Sequence, residues 1–110
     1  MASKIKLAPE SAIKEGQTYV YDVLENKKKV ALRRLDGKIY AFEDRCSHDD
    51  GELASGPVLE NCMIECPRHG ARFNIKTGKV LRMPAVVDIE TYPVNIKEGD
   101  VWIEMPADAG

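Results

Sequence analysis

The stretch CSHDDGELASGPVLENCMIECPRH, residues 46–69, decides how the rest of the chain is read. It opens on Cys46-Ser47-His48 and closes on Cys66-Pro67-Arg68-His69, with seventeen residues between the two motifs. Both histidines of the chain and two of its three cysteines lie here. Thiolate and imidazole are soft-to-borderline donors that suit iron and zinc, so the pattern reads first as a metal site.

The distribution of donors narrows the metal. A Cys₂His₂ zinc finger places both cysteines in one half and both histidines in the other. Here each half contributes one of each. That arrangement suits a two-iron cluster in which one iron takes two thiolates and the other two imidazoles. A mixed-ligand zinc site competes with this reading, as does a chance coincidence of two surface histidines and two core cysteines. Colour separates them: zinc is colourless and such a cluster is red-brown.

Outward from the motif, the chain has the pattern of one β domain. Its 110 residues are the length of a single domain. Lys4 to Leu7 alternates as a strand, Pro9 to Gly16 is a polar connection, and Gln17 to Val23 places Tyr19, Tyr21 and Val23 on one side. Glu25-Asn26 is a turn candidate. Lys28 to Leu35 and Lys38 to Glu43 are joined by Asp36-Gly37, a two-residue hairpin signal. In the first, Val30 and Leu32 face opposite to Ala31 and Arg33; in the second, Ile39 and Ala41 face opposite to Tyr40 and Phe42. Short strands follow around Val58-Leu59, Cys62 to Ile64, Ala71 to Ile75 and Lys79 to Arg82, with a turn at Thr77-Gly78. Val86 to Tyr92, Val94 to Lys97 and Val101 to Met105 complete the set, with a break at Pro93 and a turn at Glu98-Gly99-Asp100. The tail after Pro106 is expected to fray. No 3.6-residue apolar period extends over ten residues, so the expected class is all-β, a sandwich or barrel.

The two motifs closely resemble the Rieske family, with Pro67 after the second cysteine and Gly70 after the second histidine adding to the likeness. It runs from the first hairpin to Val101-Trp102-Ile103-Glu104 and is nearest to the soluble ferredoxins that feed ring-hydroxylating oxygenases. The resemblance implies a small antiparallel β-sandwich over residues 1–110, with a cluster-binding subdomain at about residues 43–75. It implies one Rieske-type 2Fe–2S cluster held by Cys46, His48, Cys66 and His69. Gly70, Ala71, Phe73 and Pro84 are implied to lie around it. Respiratory Rieske proteins carry a disulfide-forming cysteine in each ligand loop, where this chain has Gly51 and Arg68. They also place a serine and a tyrosine where hydroxyls reach the cluster sulfurs, where this chain has Ala71 and Phe73. Both departures imply a low-potential relative. Asn74 stands where such ferredoxins often carry Asp, and Met83-Pro84-Ala85 is either their third loop or a plain strand break. Gly70 is expected to let backbone approach a bridging sulfide.

Cys62 sits in an apolar run and is expected to be a small buried strand residue. Glu43, Asp44, Asp49, Asp50 and Glu52 form either a solvated face or a docking surface. Lys27, Lys28, Lys29, Arg33 and Arg34, in the hairpin sequence before them, are expected to be a solvated face. A net charge of −2 with 31% charged residues excludes a basic nucleic-acid binder. Residues 1–10 lack a signal-peptide core, and no run approaches the ~20 apolar residues of a membrane span. The expectation is a cytoplasmic monomer in which Cys62 has no intramolecular disulfide partner. No histidine remains for a mononuclear iron, and no G-x-G-x-x-G turn for a nucleotide is present. The function left is one-electron transfer from a flavin-dependent or other ferredoxin reductase to a terminal oxygenase or similar acceptor. The alternative is a Rieske-fold accessory, sensor or regulatory subunit of the nitrite reductase small-subunit kind.

Overall fold

The computed structural model describes residues 3–23, 28–45, 52–59, 62–67, 70–83 and 87–105. Apart from 3-10 conformation at Glu10–Ala12 and at Cys62, the regular structure among these residues is strand. The strands are β1 (Ser3–Pro9), β2 (Thr18–Val23), β3 (Lys28–Leu35), β4 (Lys38–Glu43), β5 (Val58–Leu59), β6 (Met63–Glu65), β7 (Arg72–Asn74), β8 (Val80–Arg82), β9 (Thr91–Tyr92), β10 (Val94–Lys97) and β11 (Asp100–Met105). They form three antiparallel sheets, in the orders β1-β11-β10, β2-β3-β4-β9 and β5-β6-β7-β8.

The β3–β4 hairpin of the middle sheet has buried residues on both faces. Alternate residues of a strand point to opposite sides. Val30, Leu32, Ile39 and Ala41 therefore meet Ala8, Val101 and Ile103 of the first sheet in one core. Ala31 and Phe42 point the other way and meet Ile64, Phe73 and Ile75 of the third sheet in a second core. Tyr19, Tyr21 and Val23 lie on the first of these faces, as their spacing predicts. The register is set by the Asp36-Gly37 turn, whose φ values of 52° and 82° are those of a type I′ hairpin. The Glu98-Gly99 turn repeats this conformation, with φ of 53° and 80°.

Two expectations need correction. The connection from Pro9 to Gly16 is not purely polar, because Ile13 is fully buried in the first core. The half-buried Arg34 guanidinium fastens this segment by donating to the carbonyls of Ile13 (2.7 Å), Glu10 (3.1 Å) and Gly37 (3.0 Å). The run Val86 to Tyr92 pairs as a strand only at Thr91–Tyr92. Before that, Ile89 donates to the Gly78 carbonyl and the Asp88 carboxylate accepts from the Val80 amide, so this backbone is bonded to the β7–β8 turn instead of a ladder. A Cβ on Gly78 would collide with the Ile89 carbonyl oxygen, which explains the glycine. The Glu25-Asn26 turn and the tail after Pro106 lie outside the described residues.

Phe42→Ala should cost about 3–5 kcal/mol, the usual range for emptying a buried aromatic site, read as a lower urea midpoint. Leu32→Ala should cost about 2–5 kcal/mol. Only Phe42→Ala should also lower iron content per folded chain, because only Phe42 faces the third sheet.

Burial first, and then the Glu90 and Glu43 carboxylates, push the Tyr92 phenol far above its ordinary 10.0. The unfolded chain ionises this group first, so its contribution to stability is present below about pH 10 and is lost as pH rises beyond it. Tyr92→Phe should flatten the fall in stability between neutral pH and pH 11, measured by denaturant melts.

Candidate metal centre

The expected ligands fall in two connections, one after β4 and one between β6 and β7. Of the four expected ligands, Cys66 is described, and Cys46, His48 and His69 lie outside the described residues. Pro84, Asp49 and Asp50 lie outside them as well.

The second loop is the tip of a hairpin. Glu65 and Arg72 are cross-strand partners joined by an ion pair at 2.9 Å. Beyond them, the Cys66 amide donates to the Ala71 carbonyl at 2.7 Å, and the Gly70 amide donates to the Cys66 carbonyl at 3.0 Å. These bonds return the chain within six residues. Gly70 has φ +78°, so its place in the turn requires left-handed backbone. A Cβ there would touch no described atom, so no protein neighbour demands the glycine. The Cys66 side chain is buried in the second core beside Ala71 and Phe73, which are fully buried and carry no hydroxyl.

The first loop is closed at its base by a residue that sequence reading assigned to the surface. The Asp44 carboxylate accepts the amides of Leu53 (2.8 Å) and Ala54 (2.7 Å), and its own amide donates to the Lys29 carbonyl (2.9 Å). Glu43 accepts at the Glu90 amide and pairs with the Arg45 guanidinium at 3.2 Å. Glu43 and Asp44 are 8% and 7% exposed, so neither belongs to a solvated acidic face. Their burial is offset by these hydrogen bonds, since an unpaired buried carboxylate would be far costlier. Glu52 is exposed. Arg34 likewise leaves the basic set, because it is a structural donor.

The end of the first loop is tied to β6. The Gly56 amide donates back to the Leu53 carbonyl within the loop, and the Glu65 amide of β6 donates to the Pro57 carbonyl at 3.0 Å. A Cβ on Gly56 would collide with the Glu65 carbonyl oxygen. Gly56 and Asp44 are thus the residues sequence reasoning missed. The two-motif spacing implied loops side by side, but nothing in it named the residues that hold them.

Cys62 differs from its expected place. It is half-buried, with φ +61°, just before β6. Its carbonyl accepts the Ile75 amide at 2.8 Å, so the left-handed backbone directs that oxygen across the hairpin. Asn74 is structural, as expected: its side-chain oxygen accepts the amides of Lys76 and Thr77 and closes the next turn.

A buried thiol at a backbone-closed hairpin tip, with a second anchored loop alongside, fits a thiolate-held cluster at this end of the third sheet. Residues 3–93 match the Rieske [2Fe-2S] domain. The chain belongs to the Rieske family. It is 36% identical over 104 residues to the 3-phenylpropionate/cinnamic acid dioxygenase ferredoxin subunit of Escherichia coli strain K12, covering 94% of this chain and 95% of that protein. The ferredoxin of carbazole 1,9a-dioxygenase from Nocardioides aromaticivorans IC177 superposes with a TM-score of 0.84 at 27% identity, over 92% of this chain and 96% of that one. A ferredoxin in a complex of reduced oxygenase and oxidized ferredoxin in carbazole 1,9a-dioxygenase gives a TM-score of 0.82 at 31% identity, over 91% of both chains. This Rieske protein is therefore of the ferredoxin type, an electron carrier with one Rieske-type 2Fe–2S cluster and not the catalytic oxygenase. No helix among the described residues is long and apolar enough to cross a membrane.

Asp44→Ala would strand the buried Leu53 amide, at about 1–3 kcal/mol, and the half-buried Ala54 amide beside it. It should shorten the lifetime of the cluster, followed as loss of visible absorbance in the presence of a chelator. Asp44→Asn keeps an accepting oxygen and should be milder. Gly56→Ala should lower cluster occupancy although it touches no ligand, because backbone must shift where the first loop meets β6.

Proposed function

We propose that Cys46 and Cys66 hold one iron and His48 and His69 the other, within a single domain whose cluster-binding part is about residues 43–75. The chain passes single electrons from a flavin-dependent or other ferredoxin reductase to a terminal oxygenase or similar acceptor, as a monomer in the cytoplasm. The observation that carries this reading is the full-length similarity to dioxygenase ferredoxin subunits, one of which is seen in complex with its oxygenase. When bound, the cluster takes up one electron and gives it back.

The chain's own residues fix and insulate the site. Asp44 and Gly56 hold the first loop against β6. Cys66, Ala71 and Phe73 close its inner side against water. On the outer side, β8 carries Arg82 opposite Arg72, next to the second loop. Leu81 on the same strand, and Met83 and Val87, are 46%, 73% and 59% exposed. Exposed apolar side chains suit contact with a redox partner. Residues 84–86, and the ligands His48 and His69, lie outside the described set.

Iron and sulfide analysis should give two of each per chain, and EPR of the reduced protein should show the low average g value of histidine ligation. His48→Ala and His69→Ala should abolish that signal, and Cys62→Ser should keep it. Stoichiometric zinc in a colourless protein would overturn the ligand assignment. The carrier role is tested separately, by reduction with a ferredoxin reductase and reoxidation by a ring-hydroxylating oxygenase in stopped flow.

Ala71 and Phe73 offer no hydroxyl to favour the more negative state, so the potential should lie toward the low end of the Rieske range of about −150 to +300 mV. A hydrogen bond to a charged group contributes about 1.5–3 kcal/mol, of which only the oxidised-to-reduced difference counts, and about 59 mV corresponds to ~1.4 kcal/mol for one electron. Ala71→Ser and Phe73→Tyr should each raise the potential by tens of millivolts in protein-film voltammetry.

A further inference from the structure

At the end of β4 remote from the cluster loops, the middle sheet stops short of closing its edge. β9 pairs with β4 only at Ala41 and Phe42. Pro93 then follows, and without an N–H it cannot extend the ladder. The chain departs to the first sheet, where Val94 pairs with Ile103. Lys38, Ile39 and Tyr40 are paired with β3 on one side and with no described strand on the other. A groove of about 440 Å³ lies along this edge, walled by Tyr92, Pro93 and Val94. That is within the range of about 300–1,000 Å³ typical of ligand sites.

The rim is cationic and aromatic. Lys38, from the β4 edge, and Lys76, from the β7–β8 turn, place their ammonium groups 5.9 and 5.4 Å from the centre of the Tyr40 ring. Neither makes an ion pair with a described residue. In a chain of net charge −2, this is a local reversal of sign. Lysines on a sheet edge repel uncharged strands. A strand bearing carboxylates is the kind they attract, so the same pair that guards the edge also selects its occupant.

We propose that this groove docks an extended acidic segment of a partner protein, which adds to β4 as a strand at Lys38–Tyr40 and sets carboxylates against Lys38 and Lys76. Main-chain hydrogen bonds give such docking its affinity and the side-chain positions give its specificity. Along β4, at about 3.3 Å per residue, Lys38 stands about 17 Å from Glu43 at the base of the first loop. A segment bound here leaves the cluster pole uncovered, so a tethered partner can stay attached while the cluster exchanges electrons. Tethering also raises the effective concentration of whatever that partner presents to the cluster.

The test uses ¹⁵N-labelled holo protein and a blocked peptide alternating Glu and Thr. Binding should move the amide resonances of Ile39, Tyr40 and Lys76, and leave the cluster spectrum and potential unchanged. The double variant Lys38→Glu, Lys76→Glu alters exposed side chains only. It should keep its cluster and bind the peptide at least about tenfold more weakly. A peptide of the same sequence with alternate amides N-methylated keeps its charge, loses ladder donors and should bind correspondingly weakly. Equal binding of the methylated peptide, or equal competition by inorganic phosphate, would reduce the site to a simple anion patch and overturn strand addition. Unchanged binding by the double variant, or no shift at Ile39 and Tyr40, would overturn the proposal outright.

Discussion

The constraint on which the structure depends is the double burial of the β3–β4 hairpin. Its cross-strand pairs are complementary in size on each face: Leu32 lies opposite Ala41 in one core, and Ala31 opposite Phe42 in the other. A slip of one residue would exchange the faces of every side chain on a strand. It would drive Phe42 into the core filled by Leu32 and leave the third sheet without its anchor. The Asp36-Gly37 turn prevents the slip by fixing the pairing from one end. The third sheet has strands of only two or three residues. Strands that short are not stable alone, so the part that carries the cluster loops owes its order to the middle sheet.

How much of this was legible in the sequence follows from the range of the forces involved. The hairpin could be read because a type I′ turn demands particular residues at two adjacent positions, and alternation of apolar residues is a local pattern. The thiol–imidazole motifs could be read because metal donors are few and their spacing is distinctive. Glu43 and Asp44 misled because carboxylates are almost always exposed. Their burial depends on amides at Leu53, Ala54 and Glu90, up to 47 residues away in the chain. Gly56 gave no signal for the same reason: its requirement is the Glu65 backbone, reached only after the chain has folded back. Cys62 is half-buried and lacks the strand conformation its sequence suggested, since its carbonyl is claimed by Ile75 across the hairpin. The stretch before Thr91 carried strand-like composition, but Asp88 and Ile89 are claimed by the β7–β8 hairpin.

The loop bases are held chiefly by bonds to main chain. Asp44 reaches two amides through one short, buried side chain, and the ends of the hairpin tip at Cys66, Gly70 and Ala71 are joined by backbone hydrogen bonds. Short side chains and backbone groups have little freedom to lose on ordering, whereas a pair of long side chains such as the half-buried Arg72–Glu65 must give up rotamers. The second loop therefore does not depend on that pair alone for its shape, and salt should disturb it little.

A carrier has to present one site to two proteins in succession, so affinity at that site works against turnover. Affinity located elsewhere does not carry this penalty. The exposed apolar side chains Leu81, Met83 and Val87 are few, which suits a brief encounter. The lysine-rimmed edge lies at the other end of β4, on the same rigid hairpin that positions the first loop. Binding at that edge and release at the cluster pole can then be tuned by different residues. Changes at Lys38 or Lys76 leave the second core and both loop bases intact, because neither side chain enters them. The double burial of β3 and β4 permits this separation: a hairpin gripped on both faces holds its two ends in fixed relation, so each can evolve its own contacts without moving the other.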